Sequence, residues 1–158
     1  MPITGPDPNS PDEGCYGAEF KRPDGEAVTV LVVAVALVDA DGRVLIAKRP
    51  EGKALAGLWG FSRRQGPDGG IPESAPGREL QEELGIDITE SCLAPLTFAS
   101  HVYDDFHLLM PLYVCRVWKG EITPREGQDL KWVRPVRLVD YDMPPADAPL
   151  IAMLRDLL

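Results

Sequence analysis

The stretch Arg78-Glu79-Leu80-Gln81-Glu82-Glu83-Leu84-Gly85-Ile86 decides how the rest of the chain is read. As a helix, it places Glu79, Glu82 and Glu83 at i, i+3 and i+4, on one face. Leu80 and Leu84, also four apart, point to another face and can pack inward. Gly85 supplies a left-handed C-terminal stop. Three like charges on one face repel, and an ordinary solvated helix intersperses lysines. Two readings are open at this point. One is a solvated acidic helix, the commoner case for Glu-rich stretches. The other is a hard-cation site, because Mg²⁺ takes oxygen ligands and tolerates clustered carboxylates.

Working outward, 158 residues suit one domain with a single core. A net charge of −9 argues against a nucleic-acid polymer or an anionic membrane as partner. A polyphosphate would be repelled too, unless metal ions intervened. Cys15, Cys92 and Cys115 are scattered, with no CxxC, and read as free thiols of a reducing, cytoplasmic protein. Two histidines are too few for a His-rich zinc site. The Pro-, Gly- and Asp-rich N-terminus does not resemble a signal peptide. Residues 1–27 read as a disordered or loosely docked arm, and the globular domain as 28–158.

Val28–Val38, β-branched and almost continuously apolar, predicts a central strand. Asp39-Ala40-Asp41-Gly42 predicts a turn into a second strand, Arg43–Arg49, making a hairpin. Leu58–Phe61 is a short apolar segment, and Ser62–Gly70 reads as a Gly-rich loop before the acidic helix. Leu93–Tyr103, His107–Trp118 and Leu130–Val136 predict further strands. Leu150, Ile151, Leu154, Leu157 and Leu158 mark an amphipathic C-terminal helix after Pro144-Pro145. Strands around one helix, with a closing helix, predict an α/β class with helices on a mixed sheet.

The order R-E-apolar-x-E-E-x-G-apolar resembles the second half of the Nudix box, the signature of the Nudix hydrolases. Other segments resemble the MutT-type branch of that family: Arg43–Arg49 followed by Gly57-Leu58-Trp59, then Arg125-Glu126-Gly127-Gln128 followed by Trp132-Val133, and Pro144-Pro145-Ala146-Asp147 before an apolar helix. The resemblance implies a Nudix fold, an α/β/α sandwich with a mixed β-sheet between helices. It implies an Mg²⁺-dependent hydrolase, with Mn²⁺ able to substitute, acting on a small nucleotide as a monomer or weak dimer. In this branch water attacks phosphorus to give a monophosphate and pyrophosphate, and the reading taken here is hydrolysis of 8-oxo-dGTP. Another nucleoside diphosphate derivative, or a catalytically weak nucleotide-binding domain, are the alternatives.

By the same resemblance Glu79, Glu82, Glu83 and Glu126 are the metal ligands and catalytic carboxylates, with the carbonyl of Arg63 as a further ligand. The general base is Glu79 or Glu126. Arg49 would contact phosphate, and Phe61 and Tyr103 would stand beside the nucleoside, unless they are simply core aromatics. Asp147 falls at a base-recognition position. As an acceptor it could take the N7–H that 8-oxoguanine has and guanine lacks; its alternative role is a helix N-cap. Arg78 would hold the loop before the helix by ion pairing, or be a plain surface arginine. His101 and His107 are expected on strands, without chemistry.

The first half of the box departs from the family. Where the family has a proline, two glycines and a lysine, this chain has Ser62-Arg63-Arg64-Gln65, and Gly70 stands in place of a glutamate. Gly60 replaces the usual glutamate before Phe61. Pro76-Gly77 sits where the helix should already run, so a late start near Pro76 is expected. The altered loop predicts a retained metal site with impaired turnover.

Overall fold

The computed structural model describes residues 28–53, 55–66 and 69–158; the N-terminal arm lies outside them. Among the described residues seven strands and two α-helices run in the order β1 (Thr29–Leu37), β2 (Val44–Lys48), β3 (Trp59–Gly60), β4 (Ser62–Gln65), α1 (Ser74–Leu84), β5 (Leu93–Val102), β6 (His107–Cys115), β7 (Asp129–Val133) and α2 (Ala148–Leu157). Four strands form a sheet in the order β4-β1-β6-β5, and three form a second in the order β3-β2-β7. In the first, β1 pairs parallel with β6 and antiparallel with β4. The expected mixed sheet is therefore present.

Strand β1 explains the layering. Its side chains alternate between two faces. Val33, Val35 and Leu37 join Leu80 and Leu84 of α1 in one apolar cluster. Ala34 and Ala36 join Leu150 and Leu154 of α2 in the other. A strand buried on both faces reads as a continuous apolar run, and so it does here.

The expected hairpin of β1 and β2 is not formed. The turn exists: Asp39 accepts backbone N–H groups of Asp41 and Arg43 at 3.0 and 2.8 Å, and Gly42 takes φ 77°. Beyond it only the bridge Val38–Val44 joins the two segments. Both hydrogen-bonding edges of β1 are taken by β4 and β6, so β2 turns away and pairs with β3 and β7. The segment read as a Gly-rich loop supplies one of those edges. Residues 62–65 form β4, with Arg63 opposite Ala34 and Arg64 opposite Val33.

Helix α1 starts at Ser74, two residues before the expected Pro76, which the first turn accommodates. Tyr113 of β6 donates its hydroxyl to Glu73 at 2.9 Å, fixing that end. Gly85 ends the helix at φ 72°, as expected. The last predicted strand is shorter than 130–136 because Pro135 opens a 3₁₀ turn, Pro135–Asp140. Among the described residues no helix is long and apolar enough to cross a membrane.

Candidate active site

The end of α1 leaves backbone carbonyls without helical partners, and the segment 123–128 satisfies them. Thr123 N–H donates to Leu84 O at 2.9 Å, and Arg125 N–H to Glu83 O at 3.0 Å. Gln128, itself buried, donates its amide to Glu83 O at 3.1 Å and accepts Glu126 N–H at 3.0 Å. The Arg125 guanidinium lies over Gly85, where a Cβ would come within 2.6 Å of it, and donates to Gln81 O. A cation at a helix C-terminus is well placed for the dipole. This capping delivers Glu126 beside Glu83. Sequence reasoning reached Glu126 through resemblance and assigned no role to Arg125 or Gln128. No local signal marks them, because the helix end they cap lies far away in sequence.

Glu83 and Glu126 open onto a cleft that Arg49, Phe61, Arg63 and Gln128 also line. Burial pushes the Glu83 carboxyl up to about 8; the hydrogen bond and charge of Glu79 and the charge of Glu126 add to the rise, and Arg49 opposes it. Two of the expected carboxylates, Glu79 and Glu126, thus converge on Glu83. Two cations already stand on this acid set. Arg64 Nη1 contacts Glu82 Oε2 at 2.8 Å and Glu79 Oε2 at 3.3 Å. Lys53 Nζ reaches Glu126 Oε2 at 3.1 Å.

The two neighbouring arginines of β4 point to opposite faces, as strand geometry requires. Arg64 goes to α1. Arg63 goes to the α2 side, where Nη1 and Nη2 hold Asp147 Oδ1 and Oδ2 at 2.9 and 2.5 Å. Gly60 makes room for it, since a Cβ there would lie 2.8 Å from Arg63 Nη2. Asp147 is wholly buried and both its oxygens face Arg63, not the cleft. It makes no side-chain cap to α2 either. Tyr103 stands away from the cleft, stacked on Phe106 at 4.8 Å. Arg78 is exposed and makes no ion pair with the described residues. Gly70 stands in place of a carboxylate, and Arg64 ties β4 to the helix. His101 and His107 lie on β5 and β6, His107 bonded to Ser100.

Among the described residues no three acidic, histidine or cysteine side chains stand in ready-made ligand geometry. The donor chemistry nonetheless fits a hard divalent cation. The donors are all oxygen, and Glu83, raised first by burial and then by Glu79 and Glu126, is opposed only by the charge of Arg49. A divalent ion would supply the missing counter-charge.

A family model for the NUDIX domain matches residues 33–153. A CTP pyrophosphohydrolase of Escherichia coli strain K12 is 32% identical over 124 residues, covering 77% of this chain and 89% of that protein. An 8-oxo-dGTP diphosphatase of the same strain is 31% identical over 128 residues, covering 80% and 98%. Among solved structures, MutT in a study of Aliivibrio salmonicida and Vibrio cholerae superposes with a TM-score of 0.69 at 28% identity, over 82% of this chain and 99% of that one. The chain belongs to the Nudix family, as a Nudix hydrolase of the MutT type. Enzymes of this family generally use divalent cations and act on small nucleotide substrates.

Proposed function

We propose that the chain is an Mg²⁺-dependent nucleoside triphosphate pyrophosphohydrolase, with Mn²⁺ able to substitute. It would convert 8-oxo-dGTP to 8-oxo-dGMP and pyrophosphate, clearing oxidised nucleotide before it enters DNA. The observation that carries the reading is the convergence of Glu79 and Glu126 on Glu83, at a cleft that Arg49 also lines. Glu79, Glu82, Glu83 and Glu126 hold the metal, with the Arg63 carbonyl as a supplementary ligand. When bound, the cation screens phosphate oxygens and polarises water. Arg49 binds phosphate, and Phe61 packs beside the nucleoside. Glu126 lines the cleft and Glu79 does not, which supports Glu126 as the acceptor of the water proton.

A second reading has a specific observation in its favour. Asp147 is engaged by Arg63, so the acceptor for N7–H of 8-oxoguanine is already used. This supports a different nucleoside triphosphate, in line with the CTP pyrophosphohydrolase relative. Release of pyrophosphate from 8-oxo-dGTP, dGTP and CTP, and of sugar phosphate from a nucleotide sugar, each with Mg²⁺, separates the readings. The first expects the highest kcat/KM for 8-oxo-dGTP, and a higher value for CTP overturns it.

A further inference from the structure

Resting on the metal site just proposed, the contacts of β4 point to one more role. We infer that Arg64 is a built-in counter-cation of the metal-binding helix face, competing with the divalent ion and setting its affinity. One guanidinium nitrogen touches carboxylate oxygens of both Glu79 and Glu82, residues three apart on α1. The Glu79 side chain is only 13% exposed and that of Arg64 30%, so water screens this pair less than a surface pair. A guanidinium is charged throughout the physiological pH range, so the contact is an ion pair.

The position follows from strand register. Arg64 lies opposite Val33, whose side chain packs in the α1 cluster, so its own side chain must emerge towards α1. A residue one place earlier emerges on the other face, as Arg63 shows. The fit between strand and helix is thus specific to position 64. A divalent cation and a guanidinium on the same Glu79 and Glu82 oxygens repel one another at close range. Binding the metal therefore weakens the Arg64 contact, displaces it or turns those carboxylates. Lys53 faces Glu126 in a comparable way, but it is a single contact by a side chain 46% exposed, and its effect is smaller.

The test is calorimetric titration of the full chain with Mn²⁺ and with Mg²⁺, in the absence of nucleotide. Arg64→Gln should bind either ion more tightly, on the order of tenfold. Arg64→Lys keeps the charge and should stay within about threefold of the parent. In a Glu82→Gln background the gain from Arg64→Gln should shrink, which a purely structural role would not produce. Equal or weaker binding by a folded Arg64→Gln overturns the competition. An Arg64→Lys affinity that rises as much as that of Arg64→Gln overturns it as well, because charge would then not matter. If no variant binds either ion, the metal site itself fails along with the competition.

Discussion

Among the described residues Glu83 is the cleft carboxylate without an ion pair, and its titration lies far from the ordinary range. Its folded pKa, about 8, lies above the ordinary value of 4.5. Between those values the folded metal-free protein binds more protons than the unfolded chain, so stability falls as pH rises through that window. Melting temperatures in EDTA should decline from about pH 4.5 to pH 8 in the parent, and less steeply in Glu83→Gln. Parallel profiles contradict this account of Glu83. Asp147 answers to a different experiment. Asp147→Ala leaves the Arg63 guanidinium without its buried partner, and should cost about 3 kcal/mol in denaturant unfolding. The double variant Arg63→Met, Asp147→Leu removes both charges and should be the more stable of the two. If the single variant loses nothing, the pair is not holding the structure.

At the scale of elements, α1 was legible because its pattern is local. The spacing of Leu80 and Leu84, the acidic face and the Gly85 stop are all set within a few turns of chain. Gly85→Ala tests that stop. It places a Cβ at positive φ and against Arg125, so it should cost roughly 1–2 kcal/mol and also weaken Mn²⁺ binding through Glu126. Unchanged metal affinity in this variant would separate the cap from the site. Strand β4 was not legible. Ser62-Arg63-Arg64-Gln65 carries no apolar alternation, and its strand state comes from an open edge of β1 and from carboxylates distant in sequence. The lost hairpin has the same origin, since a local turn signal cannot report that β1 already has two neighbours. Rebuilding the segment tests its cost to turnover. Ser62→Pro, Arg63→Gly, Arg64→Gly, Gln65→Lys and Gly70→Glu together should raise kcat, on the order of 100-fold, by restoring loop orientation. The same change strands Asp147 without Arg63 and should lower stability. A parent already as fast as the rebuilt chain would contradict the impairment.

For the whole molecule, the fold serves to bring three separate segments to one place. The acidic face comes from α1, Glu126 from the segment capping its C-terminus, and Arg49 from the end of β2. Of the site, the helix carboxylates could be read from spacing. Glu126 and Arg49 needed resemblance, because nothing local marks them. Asp147 and Tyr103 show its limit: their positions match, but burial behind Arg63 and stacking on Phe106 turn them from the cleft. The central claim is that the carboxylates around Glu83 hold a metal that hydrolysis requires. The most direct measurement is pyrophosphate released per nucleotide consumed, by parent and Glu83→Gln, from the best substrate of the panel with and without Mg²⁺. The account predicts one pyrophosphate per nucleotide for the parent with Mg²⁺, none with EDTA, and a rate lower by at least about 100-fold for Glu83→Gln. Turnover that survives EDTA, or a Glu83→Gln enzyme as fast as the parent, would contradict it.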